Sequence, residues 1–120
     1  MNKINAIWIL RIAVFGEFFG HGIFALQGKE KFVSYIMSVG ISQDIAVILL
    51  FLIGILDMIV AIVVLVKPIS PILLWAAFWG FATALIRPIT GEPIWDFMER
   101  WANFGAPLAL YYIMRKNKDI

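Results

Sequence analysis

The sequence predicts an all-α integral membrane protein: a four-helix bundle with a short interfacial helix after the first span. Three observations carry this expectation. Of 120 residues, 62% are hydrophobic and 15% charged, against about 45–50% and about 25% in an average soluble domain. Mean hydropathy is +0.92. The apolar residues gather into four runs, each near the ~20 residues that a helix rising ~1.5 Å per residue needs to cross a ~30 Å hydrocarbon core. A chain this short would leave much of its surface wet in water, and ten basic and eight acidic residues cannot cover it. The composition also excludes a disordered chain and a nucleic-acid partner. Net charge is only +2, and the basic residues stand singly until Arg115–Lys116–Asn117–Lys118. Residues 1–120 read as one transmembrane domain, with no internal repeat.

The first run extends from Ile4 to Leu26, interrupted by Arg11, Glu17 and His21. It reads as a retained span. A cleaved leader would not be this long, would not carry an acid and a base, and would end at a small-x-small site. Between Gln27 and Gln43, Lys29-Glu30-Lys31-Phe32-Val33-Ser34-Tyr35-Ile36-Met37 has the pattern of an interfacial helix. Its lysines face water, and Phe32, Ile36 and Met37 face lipid or the bundle. The second span runs from Ile45 to Val66 with Asp57 as its only charge. Lys67-Pro68-Ile69-Ser70-Pro71 forms a short turn, because proline cannot continue a helix ladder. The third span covers 69–86 and ends at Arg87-Pro88, followed by the turn Thr90-Gly91-Glu92-Pro93. The fourth covers 94–114. It starts amphipathic at Trp95 to Arg100 and becomes apolar after Phe104, with Pro107 inside it.

Lysine and arginine bias sets the orientation. Lys3, Arg11, Lys67, Arg115, Lys116 and Lys118 share one side, while Lys29, Lys31, Arg87 and Arg100 share the other with Glu30, Asp44, Glu92, Asp96 and Glu99. This places both termini in the cytoplasm of a bacterial inner membrane. The absence of cysteine removes thiol nucleophiles, disulfide relays and cysteine-held iron–sulfur clusters. The single histidine removes bis-histidine haem ligation within one protomer.

An ionisable group at the centre of a span costs ~2.5–3.5 kcal/mol on insertion scales, so each one asks for a partner or a task. Glu17 and His21 share a helix face at a spacing of four, as do Glu99 and Asn103. Counted from the same membrane face, His21 and Glu99 lie ~8 Å deep and Glu17 and Asn103 ~14 Å deep. Asp57 lies ~18 Å deep, near the midplane. These residues, with Arg87, predict a polar pocket open to the outer leaflet, with Asp57 at its floor. Glu17, His21 and Glu99 are the set that can hold a single metal ion. The competing account is an interhelical network that only fixes register, with Asp57 paired to Arg11 or Thr83. Arg100 and Asp96 read as solvated interfacial charges. The small-residue steps Gly16/Gly20, Ala76/Gly80/Ala84 and Ala102/Gly105/Ala106/Ala109 predict packing seams. Trp8, Trp95 and Trp101 predict an aromatic belt.

The segment Arg11-Ile12-Ala13-Val14-Phe15-Gly16, followed by Phe18-Phe19-Gly20-His21-Gly22-Ile23-Phe24-Ala25-Leu26, resembles the first span of the DoxX/DoxD family. The four-span length, the segment after the first span, and Gly54 with Asp57 in the second are similar as well. The Glu17/His21 pair and Glu99-Arg100-Trp101-Ala102-Asn103 go beyond that pattern. The resemblance implies a compact four-helix membrane bundle acting as a membrane subunit or partner of a redox system, with a quinone or lipid-like ligand in the polar pocket. A redox protein is then the expected partner besides the bilayer. Two other functions stand beside it: a non-catalytic scaffold or carrier of small solutes or lipids, and a metal-dependent membrane enzyme.

Overall fold

The computed structural model describes residues 2–116; Lys118, one of the orienting cations, lies outside them. The described residues form six helices: α1 (Lys3–Leu26), α2 (Glu30–Met37), α3 (Gln43–Val66), α4 (Ser70–Ile89), α5 (Ile94–Met98) and α6 (Trp101–Lys116). Helices α1, α3 and α4 are long and apolar enough to cross a membrane, which marks a membrane protein. Their outward faces agree, with Ile9, Ile12 and Phe19 on α1, Ile48, Phe51 and Leu52 on α3 and Phe78 on α4 all exposed. A continuous apolar surface of this kind suits lipid rather than water.

The elements follow from local chemistry. Asn2 caps α1 by accepting from the Asn5 backbone N–H at 2.9 Å. Gly28 and Gly40, at φ 70° and 94°, supply the left-handed residues that stop α1 and α2. Pro71 sits in the first turn of α4, where its missing N–H costs nothing. Two boundaries differ from the sequence reading. Helix α4 continues through Pro88 to Ile89, because proline's φ suits a last turn that the Thr90 N–H closes onto the Ile86 carbonyl at 3.0 Å. The run 94–114 is broken after Met98. There the Arg100 N–H bonds the Phe97 carbonyl, three residues back, while the Arg100 guanidinium occupies the Asp96 carbonyl at 3.1 Å. That carbonyl is the acceptor a continuous α-helix would have used.

The helices pack as a ring in which α1 lies on α3 and α6, α6 lies on α4, and α3 touches α4 least. One end is solid. Val14 and Phe18 of α1, Val60 and Val64 of α3, Leu73 of α4 and Leu110 of α6 form its core. At the same end, Arg11 reaches across to α3 and donates to the carbonyls of Val64 (3.3 Å), Leu65 and Val66 (3.1 Å). These are terminal helix carbonyls with no partner of their own, at the negative end of the helix dipole. A smaller cluster of Ala25, Val33, Ala46 and Leu50 seats α2 at the opposite end.

The small-residue steps sort by geometry. A Cβ on Gly80 would collide with the Asn103 backbone carbonyl, so α4 and α6 cross there in close contact. Gly16 and Gly20 are not a seam, since a Cβ at either would meet nothing within 4 Å. Ala102, Gly105 and Ala109 are exposed, so α6 presents Pro107 and Leu110 to the core instead.

Candidate functional site

The close crossing of α1 and α3 sets the site. A Cβ on Gly22 would lie 3.3 Å from the Gly54 carbonyl oxygen, and one on Gly54 would lie 3.0 Å from Leu26. The pair brings the α2 end of α1 against the middle of α3. On the other side α3 and α4 stand apart, leaving a cavity of about 360 Å³ roofed by Phe32, Tyr35 and Ile36 of α2. Its walls run from Leu49 to Asp57 on α3 and from Trp79 to Arg87 on α4, ~12 Å along each helix. Most of the lining is aliphatic and aromatic; the polar exceptions are His21, Tyr35, Asp57, Thr83 and Arg87.

Asp57 is 2% exposed, and its Oδ1 has no hydrogen-bond partner among the described residues. The sequence offered it Arg11 or Thr83. Arg11 is committed to the end of α3, and the Thr83 hydroxyl donates to its own helix at Trp79 (2.9 Å). Neither pairing forms. Arg87 is 4% exposed and its Nη1 donates to the Tyr35 hydroxyl at 2.6 Å, leaving Nε without a partner. A buried polar group without a partner costs about 1–3 kcal/mol, more when charged. Two of the lining residues therefore carry unmatched polar atoms, the acceptor Asp57 Oδ1 and the donor Arg87 Nε, on mostly apolar walls.

A second crevice of about 290 Å³ opens beside the first. Glu17, His21 and Asn103 line it, so the structure brings these three predicted residues together across α1 and α6. Gly16 and Gly20 line it as well, which explains why they touch no neighbouring helix. His21, Phe32 and Arg87 belong to both spaces. The His21 ring stacks on Phe32 with centroids 5.8 Å apart. Glu99 is not among the lining residues. The break after Met98 turns it outward, where its side chain is 65% exposed and paired with Arg100 at 2.7 Å. Among the described residues, no group of three or more His, Cys, Asp or Glu is placed to hold a metal ion.

Sequence reasoning missed the fastening of α2. The Tyr35 hydroxyl accepts from Arg87 and donates to Glu92 Oε2 at 2.5 Å, and Lys31 Nζ lies 3.3 Å from Glu92 Oε1. The Tyr35 hydrogen bond, then Lys31, holds the Glu92 carboxyl below its usual range, while that carboxylate raises Lys31. Burial is the largest influence on Tyr35 and raises its phenol. The available signal was Lys31 and Tyr35 four apart on one helix face, with Glu92 in the turn after α4 at the same end.

The chain matches no family model, no curated protein and no solved structure.

Proposed function

We propose that this chain is a four-span bacterial inner-membrane protein that holds an amphipathic ligand, quinone or lipid-like, in the cavity between α3 and α4. As the DoxX resemblance implies, it serves as a membrane subunit or partner of a redox system. The observation that carries the ligand reading is Asp57, buried and unpartnered at the wall of an apolar cavity. A volume of about 360 Å³ falls within the ~300–1,000 Å³ of small-molecule sites, which are typically apolar with a few placed polar groups. Asp57 can accept from a ligand hydroxyl and Arg87 can donate to a ligand carbonyl, and a quinol and its quinone present those two groups. In this reading α6 is the fourth crossing, which returns the C-terminus to the side of the N-terminus.

Trp79 lines the cavity and reports on its contents. Titrating purified protein in neutral detergent with a short-chain quinone should quench its fluorescence, and Trp79→Phe should remove that part of the signal. Asp57→Asn should weaken quinol binding about 10- to 150-fold, the value of a charge-assisted hydrogen bond of ~1.5–3 kcal/mol. If Asp57 were only a register pin, Asp57→Leu would leave binding as in wild type and raise stability. That outcome would replace the ligand reading with the scaffold one.

A further inference from the structure

The two spaces differ in chemistry and share three lining residues, His21, Phe32 and Arg87. The larger is apolar. The smaller is lined by Lys29, Lys31, Arg87 and Arg100. Lys31 is matched by Glu92 and Arg100 by Glu99. Lys29 and Arg87 face no carboxylate within ion-pair distance among the described residues. Lys29 lies over the rings of Phe24 (4.3 Å) and Phe32 (5.2 Å), and Arg87 keeps a buried, unpartnered Nε. Deeper in the same crevice Glu17 and Asn103 offer side chains with no hydrogen bond to other described residues. The crevice thus presents unmatched positive charge, from the exposed Lys29 and the buried Arg87, together with an unmatched acceptor, Glu17.

From this we infer that the crevice is the headgroup receptor for a phospholipid whose tail lies along the aliphatic and aromatic walls of the cavity, with Lys29 and Arg87 on the phosphate and Glu17 on a donor attached to it, such as the amine of phosphoethanolamine. The inference rests on the cavity being an amphiphile site and names the class of amphiphile. Three features support it. Arginine and lysine take phosphate oxygens through strong charge-assisted bonds. Basic pockets between transmembrane helices at the membrane surface suit lipid head groups. The two spaces share His21, Phe32 and Arg87 as lining, so they lie side by side, and one molecule spans both if these side chains part. The levels also agree. Lys29 follows the end of α1 and Arg87 lies in the last turn of α4, at the membrane surface, while Asp57 and Trp79 lie further in.

The test is thermal stability and native mass spectrometry of the full chain in a neutral maltoside detergent, with four additives. These are lysophosphatidylethanolamine, lysophosphatidic acid, a monoacylglycerol of the same chain length, and inorganic phosphate. Lysophosphatidylethanolamine should bind at least ~10-fold more tightly than the monoacylglycerol, the effect of one charge-assisted bond. Inorganic phosphate at the same concentration should not stabilise. Lys29→Gln, at an exposed position, should remove the phosphate advantage and leave monoacylglycerol binding unchanged. Glu17→Gln should weaken lysophosphatidylethanolamine and spare lysophosphatidic acid. Equal binding of monoacylglycerol and both phospholipids defeats the headgroup inference and leaves the cavity reading standing. Failure of all three lipids to bind, together with failure of the short-chain quinone, defeats the cavity reading. Stabilisation by inorganic phosphate equal to that by the phospholipids makes the crevice a free-anion site and overturns the lipid assignment.

Discussion

Arg11 shows how one residue can be seen in a sequence and still be misread. Its place early in an apolar run signals a task, and a carboxylate such as Asp57 is the obvious partner. The structure gives it three backbone carbonyls instead, at the end of α3, with Trp8 beneath the guanidinium at 3.8 Å. Periodicity along α1 cannot reveal this, because the acceptors belong to the main chain of another helix and carry no sequence signal. Arg11→Ala should cost roughly 1.5–3 kcal/mol of stability, toward the lower end because the side chain is only half-buried. Thermal unfolding in detergent measures it, and Arg11→Lys, which loses the fork of donors, should recover only part of the loss. Glu17, His21 and Asn103 were legible as a group because helical spacing and depth counted from span ends suffice to bring them together. Glu99 was not, since its depth assumed an unbroken helix through Arg100.

Among the elements, the crossing of α4 and α6 depends on Gly80. Gly80→Ala places a methyl group against the Asn103 main chain, and overpacking of this kind costs about 1–3 kcal/mol. Gly16→Ala has open space around it and should change stability by less than about 0.5 kcal/mol. Unfolding midpoints of the two variants measured side by side check the contrast. The sequence offered both glycines as equivalent small-residue steps, and only the neighbouring helix distinguishes them. The fastening of α2 makes a separate prediction. Glu92 titrates below its ordinary value of 4.5 when α2 is in place, so its contribution is fully present above that pH and is lost as pH falls through the lower, folded value. Hydrogen exchange in α2 should therefore accelerate as pH is lowered from about 5 to about 3, beyond the intrinsic pH effect. In Glu92→Gln the acceleration should disappear.

At the scale of the whole molecule, the apolar runs located α1, α3 and α4 to within three residues at each end, and the lysines of the first connection located α2. Length and hydropathy are local properties, so a single chain reveals them. The ring order, the gap between α3 and α4 and the cavity it leaves arise from contacts between distant segments. No local pattern encodes those. Orientation is testable directly. Reporter fusions after Ile120 should be active only on the cytoplasmic side, and fusions between Gln27 and Gln43 only on the periplasmic side. A C-terminal reporter active in the periplasm would mean that α6 does not complete a fourth crossing or that the whole bundle is inverted.

The uneven distribution of packing has a kinetic consequence. The short turn between α3 and α4, the Arg11 tie and the core around Val60 and Leu73 all lie at one end, and the gap lies at the other. Spreading the open end would leave the core around Val60 and Leu73 in place. The element that restrains that end is α2, held to α4 and the turn after it by Arg87, Tyr35, Glu92 and Lys31. For the ligand proposed above, residence time should follow how often these four polar side chains let go. Tyr35→Phe, which removes two of the clasp's hydrogen bonds, should speed both entry and exit of the short-chain quinone, as stopped-flow quenching of Trp79 fluorescence would show.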